Sequence, residues 1–155
     1  MAGAEFELSI ERIIDAPPET VFKVWTERLE EWWAPKPWTT KIVEMVLRPG
    51  GRSSMIMSGP DGASAPMEGV ILEVVANRSI VFTNAFKAGW IPQTPFMVGF
   101  FTFTPEGKGT RYRAGARHWD EAARKQHEAM GFATGWGIVA GQLAALAEAE
   151  AKKDR

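Results

Sequence analysis

The chain contains no cysteine. Disulfides, thiol nucleophiles and thiolate metal centres are thereby excluded. Histidine is almost as scarce, with His118 and His127 the only two and no His-x-x-x-His pair. A zinc site would need carboxylates to complete it, and no metal is expected. Basic residues never run longer than two in succession and the net charge is −1. That removes the electrostatic case for nucleic acid or an anionic membrane surface as a partner. No apolar run approaches the roughly 20 residues of a membrane span. The first residues, Met-Ala-Gly-Ala-Glu-Phe-Glu, hold no basic segment followed by a hydrophobic stretch, so no signal peptide is indicated and a cytoplasmic location is expected. There is no Gly-x-Ser-x-Gly elbow, phosphate loop, dinucleotide fingerprint or zinc-protease helix, and no cofactor is expected.

What is present is bulky apolar surface. Seven tryptophans, nine phenylalanines and seven methionines stand against a single tyrosine, in a chain that is 45% hydrophobic and 24% charged. The 155 residues suit one domain, 1–155, with enough interior for a full core. In the C-terminal run, Phe132, Trp136, Val139, Leu143 and Leu146 recur at helical steps and share one face of a helix over residues 131–150. Gly131, Gly135, Gly137 and Gly141 lie within it, each costing about 1 kcal/mol relative to alanine. Tertiary packing must hold this helix, and the glycines suggest close approach or clearance on its surface.

Phe6, Leu8 and Ile10 alternate with Glu7, Ser9 and Glu11, a half-buried strand ending near Ile14. Asp15-Ala-Pro-Pro-Glu-Thr reads as a capped helix start, with Asp15 as the cap. Val21, Phe22 and Trp25 form its apolar side, and a second short helix over 27–33 is stopped by Pro35 and Pro37. Strands follow over 41–48, 52–58, 67–75 and 80–86, separated by Pro49-Gly-Gly51, Gly59-Pro-Asp-Gly62 and Ala76-Asn-Arg78. Hairpin spacing of this kind indicates an antiparallel meander. Residues 87–95, with Gly89, Trp90, Pro92 and Pro95, read as a loop that is either a gate or a surface excursion. Strands over 96–104 and 110–118 form the last hairpin, and a short helix over 121–129 breaks at Met130-Gly131.

In the last strand Thr110, Tyr112, Ala114, Ala116 and His118 share a face, while Arg111, Arg113 and Arg117 take the solvent side. Two alanines on the inner face leave unfilled space where a closed core would carry Leu or Ile. The expected class is α+β, a helix-grip fold: a curved antiparallel sheet of six to seven strands around the long C-terminal helix, with two short helices after the first strand.

From about Phe6 to Ala147 the chain resembles the START-like (SRPBCC) helix-grip superfamily, in the subgroup similar to activators of the heat-shock-protein ATPase. The matching stretches are Asp15-Ala-Pro-Pro-Glu-Thr-Val-Phe22, Trp32-Trp-Ala-Pro35, Leu47-Arg-Pro-Gly-Gly51, Gly59-Pro-Asp-Gly62, Gly69-Val-Ile-Leu-Glu-Val74, Phe82-Thr83, His118-Trp119 and above all His127-Glu-Ala-Met-Gly-Phe-x-x-Gly-Trp136 with Gln142-Leu143. Val46 stands where members commonly carry an acidic residue. The resemblance implies a fold and a cavity more than a reaction. Relatives bind lipids, hormones or hydrophobic metabolites, some cyclise or dehydrate polyketides, and a eukaryotic branch assists a chaperone ATPase.

The expected ligand contacts are Trp25, Trp33, Met55, Met57, Phe82, Asn84, Phe86, Trp90, Phe100, Met130 and Trp136, together with Tyr112, Ala114, Ala116 and His118. Methionine and aromatic surfaces of this kind accept varied apolar shapes, in a pocket of roughly 300–1,000 Å³. His118 and Tyr112 are the catalytic candidates. His118 is either a general base or ligand anchor, or a strand-end histidine bonded to backbone. His127 is assigned to pinning the helix break or to touching the ligand. Glu68 and Glu73 fall on opposite faces of one strand by alternation, so at most one points inward. Three functions are therefore carried forward: binding of a small hydrophobic molecule, a cyclase or dehydratase activity, and a chaperone-activating interaction module. A homodimer is left open.

Overall fold

Period-two alternation in the N-terminal and central segments does produce strands, and the computed structural model describes residues 6–153. Strand β1 (Glu7–Ile14) leads through Pro17 into helix α1 (Pro18–Glu27) and the single turn α2 (Leu29–Trp32). Strands β2 (Thr39–Met45), β3 (Arg52–Ser58), β4 (Ser64–Val75) and β5 (Ser79–Thr83) follow as antiparallel neighbours. A two-residue pair, β6 (Phe86–Lys87) and β7 (Ile91–Pro92), interrupts the meander before β8 (Val98–Glu106) and β9 (Gly109–Arg117). Helices α3 (Glu121–Ala129) and α4 (Phe132–Lys153) complete the described chain. The seven-stranded sheet runs β1-β9-β8-β5-β4-β3-β2, so the first strand closes on the last and the fold is the expected helix grip.

Register decides which side chains enter. Leu8, Ile10 and Ile14 of β1 face Ala116, Ala114 and Thr110 of β9, and all lie on the concave side with Tyr112. On β8 the concave side takes Phe101 and Phe103, opposite Ala114 and Tyr112. The pairs Met55↔Met67 and Ile71↔Phe82 continue that face across the sheet. Helix α4 crosses it, burying Phe132, Ala140, Leu143, Ala144, Ala147 and Ala151 against the sheet and α1. The buried stripe is thus wider than the large residues alone suggest, because alanines extend it.

Local details differ from the sequence reading. Asp15 does not cap α1: Pro17 occupies the cap position without a side-chain bond, and the Asp15 amide instead donates to the Glu148 carboxylate at 2.9 Å. Asp120 does cap α3, accepting from the Ala123 amide at 2.8 Å. The segment 87–95 is not an open loop but carries the turn and three of the four strand residues of the β6–β7 hairpin, with Trp90 at φ 61° in that turn. Gly131 takes φ +89°, which turns the chain between α3 and α4 through 63°. Among the described residues no single helix is long and apolar enough to cross a membrane.

Candidate functional site

Between the concave sheet and the helices lies a cavity of about 810 Å³. Its sheet wall is Ser53, Met55 and Met57 of β3, Met67 and Gly69 of β4, Phe82 of β5, Phe101 of β8, and Tyr112 and Ala114 of β9. Trp32 and Trp33 at the end of α2, His127 and Met130 at the end of α3, and Gly135, Trp136 and Val139 of α4 close the other side. Gln93, Thr94, Phe96 and Met97 enter from the segment after the small hairpin.

The aromatic wall is internally braced. Trp136 stacks parallel to Phe101 at 6.0 Å and on Phe132 at 4.5 Å. Trp33 meets Phe101 at 5.8 Å and Phe82 at 6.2 Å. Offset and edge contacts at such spacings add to the burial of the rings. Gln142 of α4 fixes this wall from behind: its Nε2 donates to the carbonyls of Trp32 and Ala34 at 2.9 Å each, and its Oε1 accepts from the Lys36 amide. Asn84 does similar work at the other side, its Oδ1 accepting from the amides of Phe96 and Met97 at 2.9 and 3.1 Å. Gln93 Nε2 donates to the carbonyls of Glu68 and Asn84.

Several of the polar groups are constrained. His118 and His127 are buried and joined, with Nε2 of the first 2.9 Å from Nδ1 of the second. Nδ1 of His118 lies 2.9 Å from the Phe6 carbonyl. Burial, followed by the neighbouring His118, pushes the His127 imidazole down to about 4, so it is neutral near pH 7. Burial pushes the Tyr112 phenol well above its ordinary range. The Trp25 indole nitrogen lies beside that hydroxyl, yet it makes no hydrogen bond of acceptable geometry and stays an unpaired buried donor. Glu68 belongs to the wall, but its carboxylate is held by the Arg52 guanidinium at 2.9 and 3.1 Å, which keeps it below the usual carboxylate range. The pairing Ser54↔Glu68 sets it on the face away from Met55 and Met67. A bulge between Ile71 and Glu73 then breaks the alternation and turns Glu73 to that same outer side, where it accepts from Ser79. Neither glutamate offers its carboxylate to the cavity.

Of the residues expected to touch a ligand, Trp33, Met55, Met57, Phe82, Asn84, Tyr112, Ala114, Met130 and Trp136 line the cavity. Six do not. Trp25 is core, packed behind Trp32, Trp33 and Phe101. Phe100 points to the convex face, under the guanidinium groups of Arg113 and Arg117 at 4.8 and 4.4 Å. Gly115 stands opposite it because any Cβ there would strike the ring. Phe86 packs on Trp90 within the small hairpin at 6.0 Å. Trp90, 58% exposed, lies against Gly50 rather than over the cavity, so Gln93 and Thr94 of the same excursion reach the wall instead. Ala116 is fully buried opposite Leu8 and Gly99. His118 reaches the cavity only through His127. Sequence reasoning passed over Trp32, Ser53, Met67, Gln93, Thr94, Met97, Phe101 and Val139. The period of β8 holds a signal for Phe101, since Phe101 and Phe103 share a face, but the adjacent Phe100 masks it. Among the described residues no group of three or more acidic or histidine side chains has metal-binding geometry.

The chain matches the family model described as "Activator of Hsp90 ATPase homolog 1-like protein" over residues 15–148. No curated protein matches it. A crystal structure of a Nitrosomonas europaea protein shares 36% identity and superposes with a TM-score of 0.89, covering 95% of this chain and 97% of that one. A Mycobacterium smegmatis protein shares 28% identity at a TM-score of 0.78, covering 93% and 91%. A Silicibacter pomeroyi protein, 21% identical with a TM-score of 0.71, shares the fold over 93% of this chain and 99% of its own. By the extent of the family match and the identity of the first of these relatives, the chain belongs to the Activator of Hsp90 ATPase homolog 1-like family, within the START-like helix-grip group.

Proposed function

We propose that the protein binds a small hydrophobic or amphipathic molecule between the sheet and α4. The observation that carries this reading is the cavity of about 810 Å³ with a wall dominated by Trp, Phe and Met side chains. Removing apolar ligand surface from water there is worth about 2.5 kcal/mol per 100 Å². Its volume falls within the range of roughly 300–1,000 Å³ usual for ligand sites. Proton transfer is less well supported: Tyr112 is held protonated, His127 neutral and weakly basic, and the Glu68 carboxylate is committed to Arg52. Binding without turnover therefore fits the chemistry better than a cyclase or dehydratase.

The test uses N-phenyl-1-naphthylamine, a neutral dye that brightens in apolar surroundings. Wild type is expected to give saturable enhancement with one site per chain. Ala114→Leu, which projects an isobutyl group into the space, should weaken binding about tenfold or more, the loss expected when a methyl-lined gap is filled. Absence of saturable binding, or equal affinity in Ala114→Leu, would sink the reading.

A further inference from the structure

The polar side of this cavity restricts what can fill it. We infer, resting on the binding reading above, that the His118–His127 pair anchors a neutral apolar ligand by accepting a hydrogen bond from its hydroxyl at Nε2 of His127.

The inference follows from proton counting along one chain of contacts. A backbone carbonyl can only accept, so the 2.9 Å contact between the Phe6 oxygen and His118 Nδ1 places a proton on that nitrogen. A neutral imidazole has one N–H. With both rings neutral, Nε2 of His118 is a lone pair, and it faces His127 Nδ1 at 2.9 Å. The proton in that contact must belong to His127 Nδ1, which leaves His127 Nε2 unprotonated. Nothing among the described residues donates to that nitrogen, although the side chain is only 7% exposed and forms part of the cavity wall. That nitrogen is not among the buried atoms closed off from solvent, so a ligand that displaces water from it must supply a donor or leave the acceptor unpaired.

The surroundings narrow the class further. Phe96, Phe132 and Trp136 surround the imidazole with ring centroids at 4.9, 5.0 and 5.9 Å, so the group carrying the donor must itself be apolar. Among the described residues no lysine or arginine lines the cavity, so an anion would enter without a counter-charge. A carboxylate or ketone would place lone pair against lone pair. A phenol or alcohol on an apolar body meets every condition.

The test is a probe series at neutral pH: β-naphthol, its methyl ether, naphthalene and β-naphthoate, titrated by tryptophan fluorescence. β-Naphthol is expected to bind about tenfold more tightly than the methyl ether, the effect of one buried hydrogen bond. In His127→Phe that preference should fall to about twofold or less. Nitrogen NMR of the wild-type protein provides a readout independent of any variant, with His127 Nε2 expected to give an unprotonated signal that moves toward the hydrogen-bonded position when β-naphthol is added. Equal binding of naphthol and ether, tighter binding of the naphthoate, or a proton on Nε2 in the free neutral protein would overturn the anchor and leave the cavity reading standing. If no member of the series binds, naphthalene included, the binding reading itself fails and the anchor falls with it.

Discussion

His127 couples its own ionisation to folding. Its folded value of about 4 lies below the ordinary 6.5 because burial, and then His118, disfavour the imidazolium. Between those values the unfolded chain binds a proton that the folded chain refuses. Stability is therefore complete above about pH 6.5, falls as the pH drops toward 4, and stops falling for this reason below that. The loss from this single group is on the order of 3 kcal/mol. Urea denaturation of wild type and His127→Phe across that range should show the wild type losing more stability. The carboxylate of Glu68, held low by Arg52, starts to lose its contribution only below its ordinary 4.5, so most of the His127 loss precedes it. Parallel pH profiles in the two proteins would remove His127 as the cause.

The glycines of α4 and of the break before it divide into different roles. Gly131 sits at φ +89°, where an L side chain is strained, and it sets the bend that lets His127 and Trp136 approach with ring centroids 5.9 Å apart. A Cβ added at Gly135 or Gly137 would meet nothing within 4 Å, whereas one at Gly141 would sit 3.3 Å from a nitrogen of Arg12. Gly137 therefore carries the helix penalty without a packing contact to justify it. Gly137→Ala is expected to raise stability by about 0.5–1 kcal/mol in chemical denaturation. Gly131→Ala is expected to lower it by about 1–2 kcal/mol. Destabilisation in the first variant would mean that something presses on the helix there. Gly135 differs from both, since its open side faces the cavity.

For the molecule as a whole, the cavity links ligand binding to global stability. β1 pairs with β9, and α4 packs on both β1 and α1, so distant parts of the chain share one core. A ligand that binds only the folded state stabilises by about 2.7 kcal/mol at a hundred times its dissociation constant. For a chain of this size that corresponds to a rise in Tm of about 5–10 °C. Scanning calorimetry with N-phenyl-1-naphthylamine at saturating concentration should show this rise in wild type and little of it in Ala114→Leu. An unchanged wild-type Tm at saturation would place the dye on a surface that survives unfolding.

Elements with a single strong period were legible directly. Arg52–Ser58 and Glu121–Ala129 have the boundaries that turn and capping residues imply, and the concave face of β9 follows from alternation. Where two phenylalanines are adjacent, as at Phe100 and Phe101, alternation allows either to face inward. The choice fell to Gly115 and the two arginines across the strand. The bulge at Leu72 defeated the placement of Glu73 for a related reason: alternation holds only while the ladder is unbroken.

Periodicity and composition by themselves determined the helix-grip order of elements, the small inner face of β9 and the apolar stripe of α4, because those depend on residues near one another in the chain. Only the tertiary structure brought His118 and His127 nitrogen to nitrogen and set the Phe6 carbonyl, 112 residues away, behind His118. Hydrogen-bond polarity depends on which acceptor stands at the far end of a contact chain. No local pattern encodes that choice, and here it decides what the cavity presents to a ligand.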